Sequence, residues 1–132
     1  MTKGKNKGQY VDGFVLIVPK KSVAAYKKMA KEGAAAWKKF GALDYKECMG
    51  DDLTASMDGQ KSKMNFPSIA GAKKGETVWF SFITFKNKKH RDAVNKKVMA
   101  YFGKKYADMD MKDMPMDPAR MAYGGFSVEV SS

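Results

Sequence analysis

The sequence predicts an α+β fold of the ferredoxin-like kind, a four-stranded antiparallel sheet with two helices on one face. Three observations predict it. Strand-like and helix-like segments follow one another in the order β-α-β-β-α-β, the split βαβ arrangement. The strands are apolar on both faces, whereas a sheet wetted on one side alternates apolar with polar. The chain has 132 residues, 44% of them hydrophobic, which suits one domain with one core.

Residues 1–9 (MTKGKNKGQ) read as a disordered basic tail, and residues 10–132 as the single domain. Segment 10–19 (YVDGFVLIVP) is strand-like and closed by Pro19. Ser22 is placed to cap a helix over 22–40, in which Tyr26, Met29, Gly33, Trp37 and Phe40 recur on one stripe. Gly41 ends that helix. Segment 42–49 alternates Leu43, Tyr45, Glu47 and Met49 against Asp44, Lys46 and Cys48, a second strand. Residues 50–75 read as a long loop that Phe66 and Ile69 can tack to the body. Segment 76–86 (ETVWFSFITFK) is the strongest strand. Asn87 caps a helix over 88–102 whose His90, Val94 and Val98 share a face. Residues 103–119 are irregular, and 121–130 (MAYGGFSVEV) form the last strand.

In the first strand Phe14, Leu16 and Val18 point one way, and Val15 and Ile17 the other. In the third, Val78, Phe80 and Phe82 oppose Trp79, Ile83 and Phe85. Two helices cover only one face. The other needs a cover, and a second copy of the chain, sheet against sheet, is the economical one.

Composition narrows the class. No apolar run approaches the ~20 residues that span a bilayer, and no apolar signal stretch follows the basic start, so no membrane and a cytoplasmic location are expected. The single Cys48 fits a reducing compartment. The formal net charge is +11, yet of 25 basic residues only Arg91 and Arg120 are arginine. Arginine is the residue that forks onto guanine edges and phosphates, so specific nucleic-acid recognition is not expected. The methionines at 109, 111, 114, 116 and 121 have no Cys or His nearby and read as gap fillers; no metal or cofactor is expected. Gly124–Gly125 lacks phosphate-loop spacing and marks a bulge or a close backbone approach.

The segments YVDGFVLIVPK, GALDYKECMGDDL, FPSIAGAKKGETVWFSFITFKNKKHRDAVNKKVM and MPMDPARMAYGGFSVEV resemble the YbaA-like family of small bacterial proteins of unassigned function. The likeness runs from about Tyr10 to Val130. It implies a ferredoxin-like protomer of the dimeric α/β-barrel superfamily, hence a homodimer. It implies no substrate and no catalytic residue. Similar barrels include cofactor-free oxygenases, lactone isomerases and haem-handling enzymes, an analogy that carries a fold and not a chemistry.

The site candidates come from residue chemistry. His90, the only histidine, is the natural proton carrier near neutral pH, or else a structural partner of Val94. Asp12 and Glu47 are strand-borne carboxylates among apolar residues; they face one cavity for proton transfer, or they are ion-paired, Asp12 with Arg91 or Arg120. Trp37, Tyr45, Phe80 and Tyr123 are the candidate lining of a pocket between sheet and helices for a small apolar or aromatic molecule. The alternatives are a non-enzymatic dimeric binding protein and an RNA-binding module using the lysine-rich surface. Whether the chain is an enzyme is left open.

Overall fold

A computed structural model describes residues 8–60 and 63–132. Strand β1 (Tyr10–Pro19) leads through a short 3₁₀ turn into helix α1 (Val23–Lys39) and strand β2 (Asp44–Met49). A short helix α2 (Phe66–Ala70) interrupts the loop before β3 (Glu76–Phe85). Helix α3 (Lys88–Lys105), two further 3₁₀ turns and strand β4 (Met121–Ser127) complete the chain. The result is an α+β fold with one four-stranded sheet in the order β2-β3-β1-β4, every neighbouring pair antiparallel. Among the described residues no helix is long and apolar enough to cross a membrane.

Register divides the side chains between two faces. Phe14 lies opposite Ser81 and Tyr123, and Asp12 opposite Ile83 and Gly125. Leu16, Val18, Trp79, Ile83 and Phe85 share that face and are buried. Helices α1 and α3 close over it, burying Ala36, Val94 and Val98 against Ile83 and Phe85, while Tyr26 packs with Leu16, Val18 and Trp79. Burying each such aliphatic or aromatic side chain contributes about 1.5–3 kcal/mol. Met116 fills the second cluster, with Met114 and Met121 against it, which is the gap-filling role that the flexible thioether suits.

The opposite face carries Val15, Ile17, Val78, Phe80, Phe82 and Phe126. Helix α2 packs over β1 and β3 there, with Phe66 edge-on to Phe80 at 6.4 Å between centroids. The chain thus covers part of the face that its long helices leave bare. Phe80 (46%) and Phe126 (62%) stay exposed.

Several boundaries differ from the sequence reading, each for a local reason. Residues 1–7 of the expected tail lie outside the described residues. Gly8 and Gln9 do not behave as tail: Gly8 N–H donates to the Val128 carbonyl and Val128 N–H to that of Gln9. Ser22 stands at the start of α1 without a side-chain capping bond. Asn87 does cap α3, accepting from the His90 N–H at 2.8 Å. Gly41 terminates α1 with φ of +113°, a conformation glycine adopts without a Cβ clash. β2 starts at Asp44 and not 42, because the Ala42 N–H is spent on the Trp37 carbonyl at the end of α1. Helix α3 runs through Gly103 to Lys105, where Tyr106 OH donates to Glu32 of α1 and ties the two helices together. β4 stops at Ser127, which pairs with Tyr10 at the start of β1. The strand is unbulged at Gly124–Gly125; a Cβ on Gly125 would fall on the Tyr10 ring, so the close-approach reading holds.

Candidate functional site

The helix-side layer holds two carboxylates, each in its own hydrogen-bonded cluster. Asp12, the third residue of β1, is 1% exposed. A carboxylate buried that deeply persists only with partners. Its Oδ1 accepts from an Arg91 guanidinium nitrogen at 2.7 Å. Its Oδ2 accepts from Asn95 Nδ2 at 3.1 Å and from Tyr123 OH at 3.2 Å. Arg91 and Asn95 are four residues apart on α3, so both descend onto the sheet from one helix face. The same Arg91 nitrogen donates to Tyr123 OH at 3.0 Å, and the guanidinium lies 4.9 Å above the Tyr10 ring. Tyr10 can lie there because Gly125 offers bare backbone. Burial pulls the Arg91 pKa down, but hydrogen bonds to Asp92 and Asp12 outweigh it and the net direction is upward. Burial, then the Asp12 charge, pushes the Tyr123 phenol up. Tyr123 stands on the edge strand β4 and is 51% exposed, so it is where this cluster meets water.

Glu47, in β2, is held by hydroxyls alone. Its Oε2 accepts from Tyr26 OH at 2.8 Å and Ser81 Oγ at 2.5 Å, and its Oε1 from Tyr45 OH at 2.8 Å. Among the described residues no cation forms a salt bridge with it. Tyr26 and Tyr45 have pKa values pushed above the ordinary phenol range, first by burial and then by the Glu47 charge. The protonated phenols are the folded form. Stability from them is intact below pH ~10, where the unfolded phenols stay protonated, and declines as pH rises above it. In an alkaline titration, the phenolate absorbance of Tyr26 and Tyr45 should therefore appear only with unfolding. A Tyr26→Phe, Tyr45→Phe variant should lack that late step; ordinary titration of both rings in the folded protein would refute the assignment.

The clusters are joined. The Tyr45 ring packs 5.8 Å from Trp37, whose indole Nε1 donates to Asn95 Oδ1 at 3.0 Å, and Asn95 donates to Asp12. A chain of contacts thus runs Glu47–Tyr45–Trp37–Asn95–Asp12–Tyr123 beneath the helices. Asp12 and Glu47 are still not a catalytic pair side by side. Strand β3 separates them and their rows are two residues out of step, about 12 Å by standard strand geometry.

The other candidates fall elsewhere. His90 Nδ1 accepts the Lys86 N–H at 3.0 Å and the ring stands edge-on to Phe85 at 5.9 Å. These contacts close the β3–α3 turn; the structure does not bring His90 to either carboxylate. Phe80 is on the opposite sheet face from Trp37, Tyr45 and Tyr123, packed on Phe66 and Phe82. It cannot line one pocket with them, because strand neighbours alternate faces. Sequence reasoning missed Tyr10, Tyr26, Ser81 and Asn95. Ser81 carried a usable signal: it is a small hydroxyl set between Trp79 and Ile83 on the buried face of the strand.

Two open grooves lie outside this layer. One, of about 450 Å³, runs between α2 and β4 and is lined by Val15, Ile69, Met121 and Ala122 with Arg120 at its rim. Arg120 is gripped by both Glu76 oxygens, at 2.5 and 2.9 Å, and donates to the Gly71 carbonyl at 2.9 Å. The Arg120 hydrogen bond, with the Lys73 N–H, holds the Glu76 carboxyl down at about 2. A depressed carboxylate contributes stability above its unfolded pKa of ~4.5 and loses it as pH falls toward 2. Thermal melting between pH 5 and 2 should decline less steeply for Glu76→Gln than for the parent; parallel curves would refute the clamp. The second groove, of about 560 Å³, is lined by Met111, Met114 and Met116 near Pro19 and Ser22.

The fold and its site define a class: small α+β proteins whose helix-covered sheet face buries a polar network, with no identified metal cluster among the described residues. The chain belongs to the family described as protein of unknown function DUF1428, whose model matches residues 9–118. It is 40% identical over 122 residues to the uncharacterized protein YbaA of Escherichia coli strain K12, an alignment covering 89% of this chain and 94% of the relative. Proteins of the same name from Escherichia coli O157:H7 and Shigella flexneri match with the same figures.

Proposed function

We propose that this protein is a cytoplasmic homodimer, a dimeric α/β barrel of ferredoxin-like protomers. Each protomer binds a small aromatic molecule at the Asp12 network. The ferredoxin-like part is supported by the sheet order, with β1 and β3 central and both long helices on one face. The dimer is supported by the exposed phenyl rings on the other face. The observation that carries the ligand proposal is a buried carboxylate wired to solvent through a single phenol. Asp12 is fully enclosed, yet its partner Tyr123 is half exposed and backed by Arg91. Buried ion pairs gain little stability over apolar packing, so a retained one invites a functional reading. Arg91 offers positive charge to a ligand's carboxylate or enolate, and Phe14, 5.0 Å from Tyr123, offers an aromatic wall.

Thermal-shift screening against small aromatic acids, lactones and haem tests the proposal. At least one class should raise the melting temperature of the parent by several degrees, and Tyr123→Phe should lose that shift while melting like the parent without ligand. No stabilising compound, or a shift unchanged in Tyr123→Phe, would defeat it.

A further inference from the structure

The net charge of the chain is concentrated on one surface. Helices α1 and α3 together contain twelve Lys and Arg and only two acidic residues, so they account for +10 of the chain's +11. At 100° per residue, the side of α1 that faces away from its buried Tyr26, Gly33 and Ala36 holds Lys27, Lys28, Lys31, Lys38 and Lys39. The corresponding side of α3, away from Val94 and Val98, holds Lys89, Lys96 and Lys104, with Lys97 on its flank. All nine are exposed. Between them stand mostly small residues, Ala24 and Ala35 on α1 and Ala93 and Ala100 on α3, with Asp92 and Met99 also exposed on that side of α3. The two acids are already engaged: Glu32 with Tyr106 and Lys105, and Asp92 with Arg91. Among the described residues none of the nine lysines forms a salt bridge. Solvated helices usually intersperse Glu four residues from Lys. Here that pattern is reduced to Glu32 and Asp92, leaving two strongly cationic strips on neighbouring helices, each about 20 Å long at 1.5 Å per residue.

We propose that this face docks the phosphate backbone of a nucleic-acid duplex without reading its sequence. Lysines supply point charges rather than the forked donors that read bases, so the contact is backbone positioning alone. The alanines leave the strips flat enough to lie along a duplex. A membrane surface fits less well, because a helix that enters the interface needs a stripe of large apolar side chains on its outward side, and on these two helices only Met99 and Tyr101 are exposed. The surface is on the opposite side of the helices from the Asp12 network, so this inference stands independently of the ligand proposal.

The test is fluorescence anisotropy with the full chain and two labelled DNA duplexes of unrelated sequence, each about 20 base pairs, across 50–200 mM salt. Binding should be micromolar at low salt and equal for the two sequences. With about five phosphates neutralised, affinity should fall by about 10³ across that range. A helix variant, Lys31→Glu with Lys96→Glu and Lys97→Glu, should lose at least tenfold. An off-face variant of the same charge, Lys73→Glu with Lys74→Glu and Lys112→Glu, should stay within threefold of the parent. Circular dichroism confirms folding, and a Lys→Gln set at 31, 96 and 97 replaces the helix variant if it does not fold. No binding at 50 mM salt, equal losses in both variants, a tenfold preference for one sequence, or tighter binding to anionic phosphatidylserine vesicles at equal charge would each overturn the proposal.

Discussion

Replacing Arg91 with methionine should destabilise the protein by about 3 kcal/mol in urea unfolding, with the denaturant slope unchanged. The methionine keeps the length of the stem and removes the charge. Asp12 then remains enclosed, with Asn95 and Tyr123 as its only donors. Asp12→Ala should cost less, about 2 kcal/mol, although it breaks the same ion pair. The asymmetry comes from accessibility: the Arg91 side chain is 13% exposed against 1% for Asp12, so a stranded guanidinium turns to water and to Asp92. The double variant should cost less than the sum of the two, with a coupling of about 1–3 kcal/mol. A loss below ~1 kcal/mol for Arg91→Met, or a larger one for Asp12→Ala, would show that the pair is not held as described.

The second large effect concerns association. The parent chain should run in light scattering at twice 14.7 kDa at micromolar concentration. Phe80→Asp with Phe126→Asp should run as single chains. Burying an unpaired carboxylate at an apolar contact costs on the order of 4 kcal/mol or more, a thousandfold in dissociation constant. Both rings are substantially exposed in the protomer, so the variant should keep its circular dichroism and most of its unfolding free energy. A parent that runs as a single chain would remove the case for a sheet-to-sheet dimer.

Much of this fold was legible because it rests on short-range periodicity. The two faces of β1 and β3 followed from alternation, and the Asn87 cap from an amide side chain ahead of a helical stripe. Helix α2 was not foreseen, since five residues around Pro67 give too little pattern to separate a turn of helix from a loop. The continuation of α3 through Gly103 was hidden because glycine lowers helix propensity, whereas the contacts that support the last turn, Tyr106 and Lys105 with Glu32, are tertiary. The candidate site divides in the same way. That Asp12 and Glu47 needed partners was readable from their strand positions. Their partners were less so: Arg91 lies 79 residues from Asp12, and the choice between it and Arg120 is made by how α3 crosses the sheet. The three hydroxyls around Glu47 come from α1, β2 and β3, a convergence that only the folded chain displays.

Cys48, the chain's one thiol, is exposed and sits directly across from Phe80 on the bare side of β2 and β3. Residues so paired have their Cβ atoms only about 5 Å apart, so whatever covers the ring also shades the sulfur. In the proposed sheet-to-sheet dimer the thiol would therefore gauge self-association: alkylation should be slow in concentrated solution and quicken on dilution, with no label introduced.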